Sequence, residues 1–306
     1  MTAPERWDEA CFAVPAVRAL TASGLGTGIL CRADQREFWE TLDGLTVIDF
    51  PARAKPKVVA AEISGNWQAS LAWEAGVGAE ACKIALIPRR LGAGERQLKK
   101  LLTHPLEFAV GPLEHRVRHY LAAVEELGME TERSGFFAPA DLGIELLPDS
   151  VLLYPESDFG PSHEWPVERW VEIGRRLIDR GKSVTVAGHD QGQRTGKILA
   201  EGLGTGFTNL IPEAGALPLL AAQGLVIAAD GSMPHLAAHA GATCITLFGP
   251  NDPAWKRPLG RRHSVVWRHV ACAPCFLSKC PLDRRCQSGL EVDRVWRAVT
   301  EKLKLD

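Results

Sequence analysis

Between residues 150 and 249 one pattern recurs, and it leaves few folds open: a short apolar run, an amphipathic stretch, then another apolar run. The runs are "SVLLYP" (150–155), "KSVTVAG" (182–188), "LVIAAD" (225–230) and "TCITLFG" (243–249). None alternates strictly with polar residues, so each reads as a strand covered on both faces. The stretches between them read as helices. "PVERWVEIGRRLIDRG" (166–181) opens with Pro166, puts Trp170, Ile173 and Leu177 on one face, and stops at Gly181. "QRTGKILAEGLG", "AGALPLLAAQG" and "PHLAAHAG" supply three more. Strand and helix in alternation predict a parallel, doubly wound α/β sheet of Rossmann-like type. Ligands of such a sheet gather at the carboxyl ends of its strands.

A chain of 306 residues is long for one core, and two domains are expected. In the first half "CFAVPAVRALTASG", "DQREFWETL", "WQASLAWEAGVG" (67–78) and "EHRVRHYLAAVEELG" (114–128) read as helices. "GTGILCR", "LTVIDFP" (45–51), "PKVVAAEIS" (56–64) and "KIALIP" (83–88) read as strands. The polar, proline-bearing segment at 130–149 places the boundary near 136–149, giving domains 1–145 and 146–306. A closing amphipathic helix is expected at "EVDRVWRAVTEKL", with Val292, Val295, Trp296 and Val299 at helical spacing.

Several function classes are disfavoured. A formal charge of −2 gives no general attraction to nucleic acid or membrane. No run reaches the ~18 apolar residues of a membrane span, and "MTAPERWDEACF" lacks the form of a secretory signal. A cytoplasmic address is expected. "GLGTG" occurs at 24–28 and 202–206, yet neither copy makes a dinucleotide fingerprint, and no Walker lysine follows. Dehydrogenase and P-loop chemistry are therefore disfavoured.

Two loops carry candidate chemistry. In "AADGSMPH", Asp230 ends a strand and is expected to cap the next helix, Gly231 permits close backbone approach, and Pro234 suits a first turn. With Ser232 and His235 this makes a small-residue turn at a helix start, suited to an anion such as a diphosphate. The alternative is capping alone, with His235 packed on a neighbouring carbonyl. The loop "YPESDFGPSHEWP" should reach the same sheet edge and holds Glu156, Ser157, Asp158, Ser162 and His163. Its alternative is a solvated connector anchored by Trp165. Gln193, beyond the strand "VTVAGHD", stands where it can meet a nucleotide ribose.

Taken together, these segments resemble glycosyltransferase family 9, the bacterial heptosyltransferases of lipopolysaccharide core assembly. The likeness rests on "YPESDFGPSHEWPVERW", "DGSMPHLAA", "LFGPNDP" and "CAPCFLSKCPLDRRC", and more faintly on "RWDEACFAVPAVRAL" and "EHRVRHYLAAVEELG". It implies a GT-B fold: two Rossmann-like domains facing across a cleft, with a terminal helix that can cross back to the first. It further implies an inverting, metal-independent transfer of a sugar, heptose from ADP-heptose, to a lipid-linked or saccharide acceptor of lipopolysaccharide type. Contact with the inner membrane would be at most peripheral. The donor nucleotide-sugar would fall to Ser157, His163, Gln193, Asp230, Gly231, Ser232 and His235 in the second domain. Glu9, beside Asp8, aligns with the family's acidic residue and would be the base. This chain reads Asp8-Glu9 where the family reads Gly-Asp, and His163 stands at a family lysine. Only "MTAPER" precedes Trp7, so the strand that should come before the first helix is expected to be missing. A catalytically weak relative that binds a nucleotide-sugar or a partner is the alternative.

Cys11, Cys31, Cys82 and Cys244 lie singly and read as reduced core thiols. Cys272, Cys275, Cys280 and Cys286 crowd one segment with C-x2-C-x4-C-x5-C spacing. Four thiolates so placed can make a structural zinc site, although zinc ribbons carry two C-x-x-C knuckles and this segment has one. Packing thiols are the other reading.

Overall fold

The computed structural model describes residues 1–63, 65, 67–94, 96–189 and 195–305. The chain divides into two compact units, Met1–Ala138 and Pro139–Asp306.

In the N-terminal unit β1 (Thr27–Arg32) pairs in parallel with β2 (Leu45–Phe50). A second parallel group comprises β3 (Ala69–Ala72), β4 (Arg89–Gly92) and β5 (His104–Pro105). The first residues of the chain join the two groups. Leu30 donates its amide to the Met1 carbonyl at 2.8 Å, Ala3 donates to Leu30 at 2.8 Å, and Thr2 donates to Leu71 at 2.9 Å. Thr2 therefore fills a strand position between β1 and β3, and the strand expected to be missing is present. Backbone pairing on both sides defines it, not an apolar run. Counted as the first strand, it gives this unit the order 3-2-1-4-5-6 of the Rossmann fold.

The helix Trp7–Ala22 follows at once. Ala10, Phe12, Ala13, Ala16 and Val17 are fully buried, so the helix is enclosed on almost every side. Three local expectations are corrected. The segment expected as a strand from residue 56 instead forms the helix Pro56–Glu62, started by Pro56, with Val59 and Ala60 inward and Val58 exposed. Paired valines imitated a strand there. "WQASLAWEAGVG" supplies β3 and then the start of the helix Val77–Ile84. "KIALIP" ends that helix in a turn with Leu86 at φ 56°, and the true strand is β4, whose two arginines disguise it.

The C-terminal unit has one six-stranded parallel sheet: β6 (Leu147–Tyr154), β7 (Ser183–Gly188), β8 (Phe207–Asn209), β9 (Gln223–Ala229), β10 (Thr243–Phe248) and β11 (Ser264–Trp267). Their order, β11-β10-β9-β6-β7-β8, is again the Rossmann order. The direction of winding reverses between β6 and β9, where Tyr154 stands opposite Ala228. Helix Val167–Ile178 packs on this sheet through Trp170, Ile173 and Leu177, all fully buried. Truncating such a tryptophan to alanine costs about 3–5 kcal/mol. The helix stops where Gly181, at φ 73°, donates to Ile178 and Lys182 donates to Leu177. The closing helix Val292–Leu303 buries Val295 and Val299 in this same core, so it belongs to the C-terminal unit. No helix of the described residues is long and apolar enough to cross a membrane.

Candidate functional site

The loop after β6 and the turn after β9 meet at the carboxyl edge of the sheet, beside its point of reversal. Asp230 is fully buried there. Its Oδ2 accepts from Nδ1 of His163 at 3.0 Å and from Nδ2 of Asn251 at 2.7 Å. Burial raises the Asp230 carboxyl above its ordinary pKa, and the bonds from His163 and Asn251 oppose that rise. The expected cap is thereby corrected: Asp230 turns to His163 and Asn251, while Ser232 holds the N-cap position of the helix Met233–His239 without a side-chain cap bond.

Ser157 donates its hydroxyl to the Asp230 carbonyl at 2.5 Å and accepts the Phe159 amide at 3.1 Å. Asp158 grips the neighbouring turn. Its Oδ1 accepts the Ser232 amide at 2.7 Å, and its Oδ2 accepts the Ser232 hydroxyl at 2.6 Å. A Cβ on Gly231 would stand 2.7 Å from Asp158 Oδ1, so a side chain there would displace the carboxylate that holds Ser232. His235 is buried in the first turn of its helix. Ser157, His163, Asp230, Gly231, Ser232 and His235 thus come together, whereas Gln193 lies outside the described residues.

Two further acids support the loop from beneath. Glu156 accepts the Gly196 amide at 3.0 Å and also the His189 amide. Glu164 accepts the Ser157 amide at 3.3 Å and the Thr195 hydroxyl at 3.1 Å. Burial pushes the Glu164 carboxyl up to about 7, and it raises Glu156 as well.

The cysteine-rich segment is a strap over these loops. Gln287 donates to the His163 carbonyl at 2.7 Å, and Ser162 donates its amide to Ser278 at 3.2 Å and its hydroxyl to Leu277. Trp165 Nε1 donates to Leu290 at 2.9 Å. The amides of Cys275 and Phe276 both reach the Pro250 carbonyl. All four thiols are free, Cys272 exposed and Cys286 buried. Among the described residues no three His, Cys, Asp or Glu side chains are placed to hold a metal ion. The zinc reading of Cys272, Cys275, Cys280 and Cys286 is corrected on that geometry. Their common segment serves here through its backbone and Gln287.

In the N-terminal unit Asp8 and Glu9 occupy the first turn of helix Trp7–Ala22, just past the strand formed by residues 1–3. Asp8 accepts from Arg6 at 3.0 and 3.2 Å. Glu9 receives Nε of Arg116 at 2.9 Å and the hydroxyl of Tyr120 at 2.6 Å. Arg116 also lies over the Tyr120 ring, which meets Trp73 edge to face. Burial and the Glu9 charge push the Tyr120 phenol up, so it stays protonated and donates.

Sequence reasoning missed the parts played by Arg116, Tyr120, Asn251 and Gln287. Arg116, Tyr120 and Asn251 sit in segments already singled out and Gln287 directly follows one, yet only folding shows which carboxylate or carbonyl each meets.

The family model described as glycosyltransferase family 9 (heptosyltransferase) matches residues 129–285. Lipopolysaccharide heptosyltransferase 1 of Pseudomonas aeruginosa is 29% identical over 118 residues, 38% of this chain, so the match spans 33% of that relative's length. Among solved structures, the Escherichia coli heptosyltransferase WaaC with ADP has a TM-score of 0.77 at 16% identity, covering 98% of each chain. The family 9 glycosyl transferase of Veillonella parvula reaches 0.82 at 14% identity, covering 100% of this chain and 96% of that one. These likenesses establish the α/β, GT-B type of fold.

Proposed function

Since this chain belongs to glycosyltransferase family 9, we propose that it transfers a sugar, heptose, from ADP-heptose to a lipopolysaccharide-type or other saccharide acceptor. One observation carries the reading. The matched segment, 129–285, contains the whole buried constellation of Ser157, His163, Asp230, Gly231, Ser232, His235 and Asn251. That overlap supports a donor site at this sheet edge.

In this reading the C-terminal unit holds the donor and the N-terminal unit serves the acceptor. The acceptor oxygen attacks the anomeric carbon from the face opposite the diphosphate. A new C–O bond forms as the old one breaks, ADP leaves with the bonding electrons, and the configuration inverts. Glu9 takes the hydroxyl proton, with Arg116 and Tyr120 fixing its carboxylate. Protein groups at the Asp230 cluster, His163 among them, meet the charge of the departing diphosphate without a bound metal. The donor and a lipid-linked or saccharide acceptor of lipopolysaccharide type imply work in the cytoplasm, at most peripheral to the inner membrane.

A second reading, a weak or inactive relative that binds the donor, draws on two contacts. The Glu9 carboxylate is already engaged by Arg116 and Tyr120, and the Ser232 amide by Asp158. Calorimetry with ADP and ADP-heptose, followed by turnover on heptose-deficient lipopolysaccharide, separates the two. Binding with turnover supports transfer. Binding alone supports the second reading, and no binding of either nucleotide rejects both.

A further inference from the structure

The strap over the site carries a charge balance unlike that of the rest of the chain. Between Pro253 and Leu290 eight lysines and arginines meet a single acid, Asp283, whereas the whole sequence has 35 basic and 37 acidic residues. The near-neutral total hides this local excess, and the local field is what an approaching polyanion meets. Asp283 is itself engaged, accepting the amide of Arg285 at 3.2 Å and its Nε at 2.9 Å.

Within this stretch, residues 276–285 are all exposed except the half-buried Cys280. Lys279, Arg284 and Arg285 share the segment with three large apolar side chains, Phe276, Leu277 and Leu282, the last 63% exposed. A single exposed leucine is ordinary, but three bulky apolar residues within seven positions, set among cations, form a patch. The main chain of the segment is pinned inward. Its Leu277 and Ser278 carbonyls accept the hydroxyl and amide of Ser162, its Phe276 amide reaches the Pro250 carbonyl, and Arg284 donates to Pro161 at 3.3 Å. Phe276 is held at φ 56°, a conformation rare for an aromatic residue. Apolar side chains left in water contribute nothing to folding. Held on a fastened backbone, they make a surface prepared for a partner.

We infer that the segment from Phe276 to Arg285 docks the protein on an anionic phospholipid bilayer. Its cations suit the lipid phosphates, and Phe276, Leu277 and Leu282 suit the boundary between headgroups and acyl chains. A nucleic acid would use the charges but offers the two leucines no comparable apolar medium. The inference goes beyond the proposed transfer and does not depend on it. Such docking sets the bilayer beside the loop that carries Ser157, Asp158 and His163, because Pro161 and Ser162 of that loop are bonded to the segment.

Flotation of the unaltered protein with phosphatidylethanolamine vesicles containing about 30% phosphatidylglycerol, against vesicles of phosphatidylcholine alone, is the test. The anionic vesicles should bind at least about tenfold more tightly, with the margin shrinking in ~0.5 M salt. Lys279→Gln combined with Arg285→Gln should weaken binding roughly twentyfold, at about fivefold for each charge near the surface. Lys99→Gln combined with Lys100→Gln, which removes two exposed cations of the N-terminal unit, should leave binding within about twofold. Leu282→Ser should weaken it several-fold and Leu282→Trp should tighten it. ADP affinity, read by calorimetry, should match wild type in every variant, so that loss of docking and loss of the nucleotide pocket are told apart. No preference for anionic vesicles, equal losses in the two double variants, or wild-type binding by Leu282→Ser would each overturn the inference. Capture of a single-stranded oligonucleotide without capture of anionic vesicles would overturn it in favour of a nucleic acid.

Discussion

Asp158 and Ser232 are joined twice, amide to Oδ1 at 2.7 Å and hydroxyl to Oδ2 at 2.6 Å, across a gap of 74 residues. A carboxylate thereby sits on the backbone N–H that a phosphate of the donor would compete for. Removing its charge while keeping its shape should favour an anionic ligand. Asp158→Asn is expected to tighten ADP binding about two- to fivefold at low ionic strength, an advantage that disappears in 1 M salt. Asp158→Ala should instead lower stability by about 1–2 kcal/mol, because the Ser232 donor loses its partner. Calorimetry and urea denaturation read the two effects separately.

Glu9→Gln keeps an oxygen for Tyr120 and the length of the side chain but cannot take up a proton. Turnover is expected to fall between about a hundredfold and ten-thousandfold, with ADP affinity unchanged. Tyr120→Phe should be milder in rate, costing about 1–2 kcal/mol of stability through the lost hydrogen bond to Glu9 Oε2, which keeps Arg116 as its donor. Equal turnover in wild type and Glu9→Gln would reject the assigned base.

Glu164 links stability to pH. Its carboxyl rises from 4.5 to about 7 on folding because burial penalises the charge. A raised folded pKa contributes stability that is complete below about pH 4.5 and is lost as pH climbs through 7. The shift corresponds to roughly 3 kcal/mol. Glu164→Gln removes the titration while still accepting the Ser157 amide. The thermal midpoint of wild type should therefore fall relative to this variant between pH 4.5 and 8, with the difference level at both ends.

Gly160 tests the strap. At φ 112°, and with its missing Cβ 2.5 Å from the Ser278 carbonyl, it admits no side chain. Gly160→Ala should cost about 3 kcal/mol or more and weaken ADP binding together with stability. Gly204→Ala is the control, for it shares a positive φ of 66° but has open space around it. Its cost should stay near 1–2 kcal/mol with no change in binding. Urea denaturation of the two variants compares them.

The C-terminal sheet was legible because its central strands are buried on both faces and each helix shows one apolar face. Trp170, Ile173 and Leu177 fell where their spacing put them. The N-terminal unit was less so. β4 carries Arg89 and Arg90, and the helix at Pro56 carries paired valines, so local propensity pointed the wrong way until packing decided. The first strand escaped notice because three residues hold it by backbone bonds alone. At the site, residue types and loops were readable, but partners were not. Asp230 could bond the helix beside it or the side chains of His163 and Asn251, and only the fold chooses.

Gln287 and Leu290 complete a loop that was synthesised 124 and 125 residues before them. While a ribosome is still making the chain, the segment around His163 and Trp165 has no carbonyl clasp and no indole acceptor. A nascent polypeptide halted before position 287 therefore possesses every side chain of the constellation yet lacks the fastening that shapes it. That fastening is supplied only once residues 287–290 are in place.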